Sequence, residues 1–210
     1  MKVTELFETK ISTETLQGYL KRLFDLKLKQ LGYGRYARVF QHPELPDVAV
    51  KIYSAERDDG YKAYLQWCLK NQSNKFVPKV LSTKKFDVED KITSDYTTPK
   101  WDRWKTINIV FLEKLKPISK EEYVAFEAML CKLVGRTPSK PGRELGNLDP
   151  DDWKKIETTT KDKDLAILAA YMSKNARYGL GSDINKSNVM TRANGQVVIT
   201  DPFPSNDRTK

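Results

Sequence analysis

Two short runs of β-forming residues, Val189 to Arg192 and Val197 to Thr200, flank the pair Asn194-Gly195. Asn-Gly suits the two positive-φ positions of a type I′ turn, so the runs are expected to pair as a tight hairpin. A hairpin makes neighbours of its two ends. Asn188, at the entry to the first strand, then lies close to Asp201, at the exit of the second, with Asp183 five positions upstream on a loop. One amide oxygen and two carboxylates are expected to converge, a donor set for a hard cation such as Mg²⁺, which keeps several waters and shares itself with substrate phosphates. The plainer alternative is a surface hairpin with ordinary turn-forming Asp and Asn residues.

A second motif lies upstream. Leu31-Gly32-Tyr33-Gly34-Arg35-Tyr36-Ala37-Arg38-Val39 places two glycines between predicted strands, and Val48-Ala49-Val50-Lys51 places a lysine inside an apolar strand. Glycine at 32 and 34 lets backbone approach a phosphate that a Cβ would obstruct. An ammonium in an apolar strand needs an anionic partner or a solvated exit, and a nucleotide phosphate provides the first.

Together these stretches resemble the protein-kinase family: a glycine-rich loop, a strand Lys, the spacing Asp-x-x-x-x-Asn, and a metal-binding Asp after a hairpin. More narrowly, His42-Pro43-Glu44-Leu45-Pro46 and the Ile199-Thr200-Asp201-Pro202 ending resemble the early serine/threonine protein kinases of podovirus-type bacteriophages. The resemblance covers the motif-bearing parts of residues 31 to 203. It implies an α+β, protein-kinase-like two-lobed fold with a truncated, minimal C-lobe: one domain over 1–210, with an N-lobe to about residue 114 and a reduced helical C-lobe from about 115. Only seven residues follow Phe203, so no room is expected for an activation segment and the helical subdomain after it.

The resemblance also implies roles. Asp183 would orient the substrate hydroxyl and accept its proton, and Asn188 and Asp201 would hold the metal. Lys51 would bind the α- and β-phosphates of ATP under Gly32 and Gly34, with Ala37, Val39 and Ala49 against the nucleotide. Glu113 and Leu115, in the stretch Leu112-Glu113-Lys114-Leu115, would offer backbone groups to the adenine edge. The expected cofactors are ATP and Mg²⁺, and the expected substrates are host proteins of transcription or RNA processing in a bacterial cytoplasm.

The sequence departs from the family at three points. Ala37 stands where the third glycine falls, Gly181-Ser182 replaces the usual His-Arg ahead of Asp183, and the helix predicted after Asp58-Asp59 holds no Glu to pair with Lys51. Glu56 and Asp59 at its start, or Gln66 within it, are the alternatives. The missing Glu and the short C-lobe equally fit a kinase-shaped protein that disables a host enzyme by binding. A small-molecule phosphotransferase of the aminoglycoside-kinase type is the third reading, although its usual His-Gly-Asp is absent.

Other features bound the picture. The 210 residues, 39% of them hydrophobic, suffice for one compact core but not for two full-sized domains. The net charge of +9 favours anionic partners. Its lysines, as at Lys84-Lys85, Lys114-Leu115-Lys116 and Lys154-Lys155, are scattered without interleaved aromatics, which argues against a direct nucleic-acid platform. Cys68 and Cys131 fall in helical periodicities and read as buried thiols. Met1 to Leu20 is polar, and the longest apolar run, Leu165 to Met172, is too short to span a bilayer.

Helices are predicted from Ser12 or Thr13 through Phe24, from Asp58 to about Asn71, from the capping box at Ser119-Lys120-Glu121-Glu122 to about Val134, from Asp149-Pro150, and from about Asp162 to Asn175. Strands are predicted over Lys27–Leu31, Tyr36–Gln41, Val48–Tyr53, Phe76–Thr83 and Thr106–Leu115, with Trp101 and Trp104 on a loop before the last.

Overall fold

The computed structural model describes residues 18, 25, 29–34, 36–42, 44–54, 56–87, 106–137, 148–176, 182 and 184–203. The helix expected over 12–24 lies outside these residues except for Gly18, which is helical. The loop with Trp101 and Trp104 and most of the loop over 135–147 also lie outside them. The chain divides into two compact units: the described residues of Met1–Asp58 with Lys79–Lys114, and those of Asp59–Pro78 with Leu115–Lys210.

The first unit is a five-stranded antiparallel sheet of β1 (Lys29–Tyr33), β2 (Ala37–Gln41), β3 (Val48–Ser54), β4 (Val80–Asp87) and β5 (Thr106–Glu113), in the order β1-β2-β3-β5-β4. β3 is interior to the sheet, and its near-continuous apolar run is buried at every position, the pattern of a strand covered on both faces. Val50, Ile52, Ile107, Ile109, Val110 and Phe111 are fully buried. β1 carries one extra residue, Leu31, between the pairs Gln30–Phe40 and Gly32–Val39. Such a bulge bends an edge strand and increases its twist. The expected fourth strand begins later than predicted. Residues 76–79 stay out of the ladder, and pairing starts at Val80 opposite Leu112.

The second unit contains α1 (Asp59–Lys70), α2 (Lys120–Val134), α3 (Pro150–Thr159) and α4 (Lys163–Ala176), with a small sheet of β6 (Lys116–Pro117), β7 (Val189–Thr191) and β8 (Val197–Ile199). The protein is thus α+β. α1 counts with the helices and not with the large sheet that precedes it.

Local signals explain the helix ends. Ser119 Oγ accepts from Glu122 N and the Glu122 carboxylate accepts from Ser119 N, a complete capping box, and Asp149 and Asp152 repeat it ahead of α3 with Pro150 in the first turn. α2 stops at Gly135, whose φ of 69° lies in the left-handed region that glycine adopts without cost. Lys155 Nζ then donates to Val134 O at 2.7 Å, so α3 covers the end of α2. Trp153, Ile156, Leu165, Leu168 and Leu130 fill the interior between these helices.

The chain's single histidine, His42, follows β2 and is buried. Its Nδ1 accepts from Glu44 N at 3.3 Å, and its ring is tilted against that of Phe111. Burial lowers its pKa from 6.5, against a smaller upward pull from Glu44. The folded state therefore prefers the neutral ring, and the unfolded chain binds the proton more readily. Stability should be full above about pH 6.5 and fall as pH drops below it, ahead of the carboxylate range. Urea midpoints at pH 7.5 and 5.5 should show this decline in the wild type and a flatter profile in His42→Gln.

Candidate nucleotide and cation site

In the first unit the sheet register gathers most of the predicted nucleotide-contacting residues. Gly32 lies opposite Val39, Val39 opposite Lys51, and Lys51 opposite Val110, which makes one row across four strands. Directly paired residues share a face and alternate residues along a strand return to it. Ala37, Val39, Ala49 and Lys51 therefore stand on the same face. Lys51 is only 7% exposed although it carries a charge.

The turn between β1 and β2 is closed by Gly34 N donating to Ala37 O at 2.9 Å and by Arg38 Nη1 donating to Gly34 O at 2.7 Å and Ala37 O at 2.9 Å. Tyr33, at this turn, is 79% exposed, with the Arg38 guanidinium 5.7 Å from its ring centre. A Cβ placed on Gly32 or Gly34 would meet nothing within 4 Å, and neither has a positive φ. Among the described residues, nothing requires glycine at either position.

At the end of β5, Glu113 N donates to Lys79 O at 3.0 Å, and Glu113 Oε1 accepts from Lys79 N at 2.8 Å. Lys114 N donates to Asp47 O at 2.7 Å. The N–H groups of Glu113 and Lys114 are thus engaged within the first unit. Leu115 is half-buried and opens the second unit.

In the second unit the hairpin of β7 and β8 is present, with the register Val189–Ile199, Met190–Val198 and Thr191–Val197. Its turn differs from the expected two-residue one. Arg192 N donates to Gln196 O at 2.9 Å and Gly195 N to Arg192 O at 3.0 Å, which leaves Ala193, Asn194 and Gly195 as a three-residue loop with Gly195 at φ 80°. This is the turn-plus-bulge form, which needs a left-handed residue at its last position. At the opposite end, Asn188 O accepts from Thr200 N at 2.9 Å and from Thr200 Oγ1 at 3.1 Å. Asn188 and Asp201 accordingly share one end of the hairpin, both half-buried.

Asp183 lies outside the described residues. Its neighbours are both buried and anchored: Ser182 Oγ donates to Leu148 O at 2.7 Å, and Tyr123 Oη donates to Ile184 O at 2.9 Å. Asn185 Oδ1 accepts from Ser187 N at 2.8 Å and Asn188 N at 3.1 Å, which shapes the loop into Asn188.

The hairpin is held from α1 and the segment after it. Tyr64 Oη donates to Ile199 O at 2.7 Å, and Ile199 N donates to Phe76 O at 2.8 Å. Arg192 Nη1 and Nη2 donate to Lys75 O and Val77 O at 2.5 and 2.8 Å. Burial drives the Tyr64 pKa far above its usual value and that of the Cys68 thiol up to about 12, so both stay protonated. Tyr64, Tyr123 and Arg192 were not among the predicted site residues. Helical spacing marks the two tyrosines as buried, but it says nothing of what their hydroxyls reach.

Among the described residues no group of three or more His, Cys, Asp or Glu side chains is arranged to hold a metal. The expected set contains an Asn and an Asp outside those residues. Among the described residues no helix is long and apolar enough to cross a membrane. No protein-family model and no curated protein matches the sequence.

Because the fold leaves open space at both turn glycines, Gly32→Ala and Gly34→Ala should keep the stability of the wild type or raise it by up to about 1 kcal/mol through the unfolded state. Denaturant unfolding measures this. Loss of nucleotide affinity in an equally stable variant would then report close approach of a ligand to the backbone.

Proposed function

We propose that the protein is a serine/threonine protein kinase that transfers the terminal phosphoryl group of Mg·ATP to host proteins. The observation that carries the proposal is the hairpin register, which gives Asn188 and Asp201 a common end. An amide oxygen and a carboxylate there fit a hard cation. The row that includes Gly32, Val39 and Lys51 supports it from the first unit.

In this reading Asn188 and Asp201 would hold Mg²⁺, which supplies charge neutralisation at the phosphates. The Lys51 ammonium would bind the α- and β-phosphates, and Gly32 and Gly34 would let backbone close over them. Ala37, Val39 and Ala49 would present an apolar surface to the nucleotide. With the N–H groups of Glu113 and Lys114 engaged, carbonyl groups of this stretch and the backbone of Leu115 would serve the adenine edge. Asp183 would orient the nucleophilic hydroxyl and take its proton. Positioning and electrostatics supply most of the rate in such a transfer, so few reactive side chains are needed. The phage-kinase resemblance extends the proposal to transcription or RNA-processing proteins of an infected bacterium.

A second reading is a kinase-shaped protein that inhibits a host enzyme by binding it. The buried face of α1 favours it: Tyr61, Tyr64, Leu65 and Cys68 line that face, and no carboxylate occurs among them.

Asp183→Ala separates the two. With labelled ATP and bacterial lysate, phosphoryl transfer should fall by about 10² to 10⁴-fold, as for loss of a general base, while Mg·ATP binding persists. Undiminished transfer would remove Asp183 from the mechanism. A variant that loses transfer yet keeps its full effect on the host would favour the binder.

A further inference from the structure

One side chain brackets Asp201. Tyr64 Oη makes a buried hydrogen bond to Ile199 O, two residues before Asp201, and the Tyr64 ring meets that of Phe203, two residues after it, edge-on at 6.4 Å and 81°. Ile199 N is bonded to Phe76 O, so both backbone groups of Ile199 are engaged by the segment 59–78. Thr200, between Ile199 and Asp201, is tied to Asn188 O through its N–H and hydroxyl. The Phe203 ring also meets that of Tyr171 at 5.9 Å, Tyr171 lies 6.1 Å from Tyr64, and Tyr171 stacks on Trp67 of α1 at 4.5 Å.

Tyr64 is more than filler. A phenylalanine would occupy the same volume, but the Ile199 carbonyl would lose the hydroxyl that reaches it, and an unmet buried acceptor is costly. Groups that orient a metal ligand without touching the metal tune its affinity. We infer that Tyr64 is a positioning residue for Asp201, holding its carboxylate in the orientation that a divalent cation requires through the bond to Ile199 and the ring contact with Phe203. The inference rests on the reading of Asp201 as a cation ligand.

Mn²⁺ is the probe, its binding followed by electron paramagnetic resonance on the full chain with a non-hydrolysable ATP analogue. Tyr64→Phe should weaken Mn²⁺ binding by about 10-fold, the lower end for loss of an outer partner of a metal ligand. Analogue binding in EDTA should be unchanged. Tyr171→Phe is the control, because the Tyr171 hydroxyl is buried with no hydrogen-bond partner among the described residues; it should stay within about twofold, as expected when no bond is lost.

Wild-type Mn²⁺ affinity in Tyr64→Phe overturns the positioning role and leaves the kinase reading standing. An equal loss in both variants also overturns it, since general loosening of the aromatic cluster would then suffice. A wild-type chain whose Mn²⁺ binding does not depend on Asp201 removes both readings. Should Tyr64→Phe fail to fold, Phe203→Leu, which deletes the ring beyond Asp201, carries the same expectation, and wild-type affinity there overturns it.

Discussion

The peptide of Ile199 is the point on which the second unit depends. Its carbonyl receives a hydroxyl from a residue 135 positions earlier and its N–H reaches Phe76 O. β7 and β8 have three residues each, and an isolated pair of that length is marginal in water. Pairing with β6, the two bonds at Ile199 and the guanidinium of Arg192 hold the hairpin in place. Each such bond contributes only about 0.5 to 1.5 kcal/mol net, but leaving a buried group unmet costs more. This arrangement explains why α1 and the loop after it belong with the helices, and why Phe76 and Val77 do not join the large sheet. Phe76 O and Val77 O already have donors from the hairpin.

The first unit meets a different constraint, the burial of a charge. Lys51 lies in a strand with no exposed position, among Val50, Ile52 and Tyr53. Keeping an ammonium in such a setting is costly unless an anion or water meets it. Its face also carries Ala37, Val39 and Ala49, with Tyr53 opposite Ala37. The proposed ATP role draws on this face, where Lys51, Ala37, Val39 and Ala49 stand together.

Much of the framework was legible in the sequence because it rests on local chemistry. The capping box at Ser119, the Asp149-Pro150 start and the strand around Lys51 follow from neighbouring residues. The failures are long-range or geometric. The β-formers from Phe76 predict a strand start four residues before the observed one at Val80, because such a run cannot disclose that the Phe76 and Val77 carbonyls are engaged elsewhere. Asn194-Gly195 suggested a two-residue turn, while the Thr191–Val197 register and the Arg192–Gln196 bond leave three residues, the last of them a left-handed Gly195. Of the candidate site, the shared hairpin end of Asn188 and Asp201 followed from hairpin logic. Tyr64 and Tyr123 did not, because periodicity reports burial of a ring and not the partner of its hydroxyl.

Asp201 and Asn188 are proposed to bind a cation together with a nucleotide. Isothermal titration of the wild type and Asp201→Asn with ATP, in Mg²⁺ and in EDTA, tests it directly. A neutral amide in place of the carboxylate removes the strongest anionic ligand at a site that must balance both the cation and the triphosphate. The account predicts tight binding by the wild type only with Mg²⁺, and loss of that Mg²⁺-dependent gain in Asp201→Asn. Equal affinity and enthalpy for the two proteins in Mg²⁺ would contradict it.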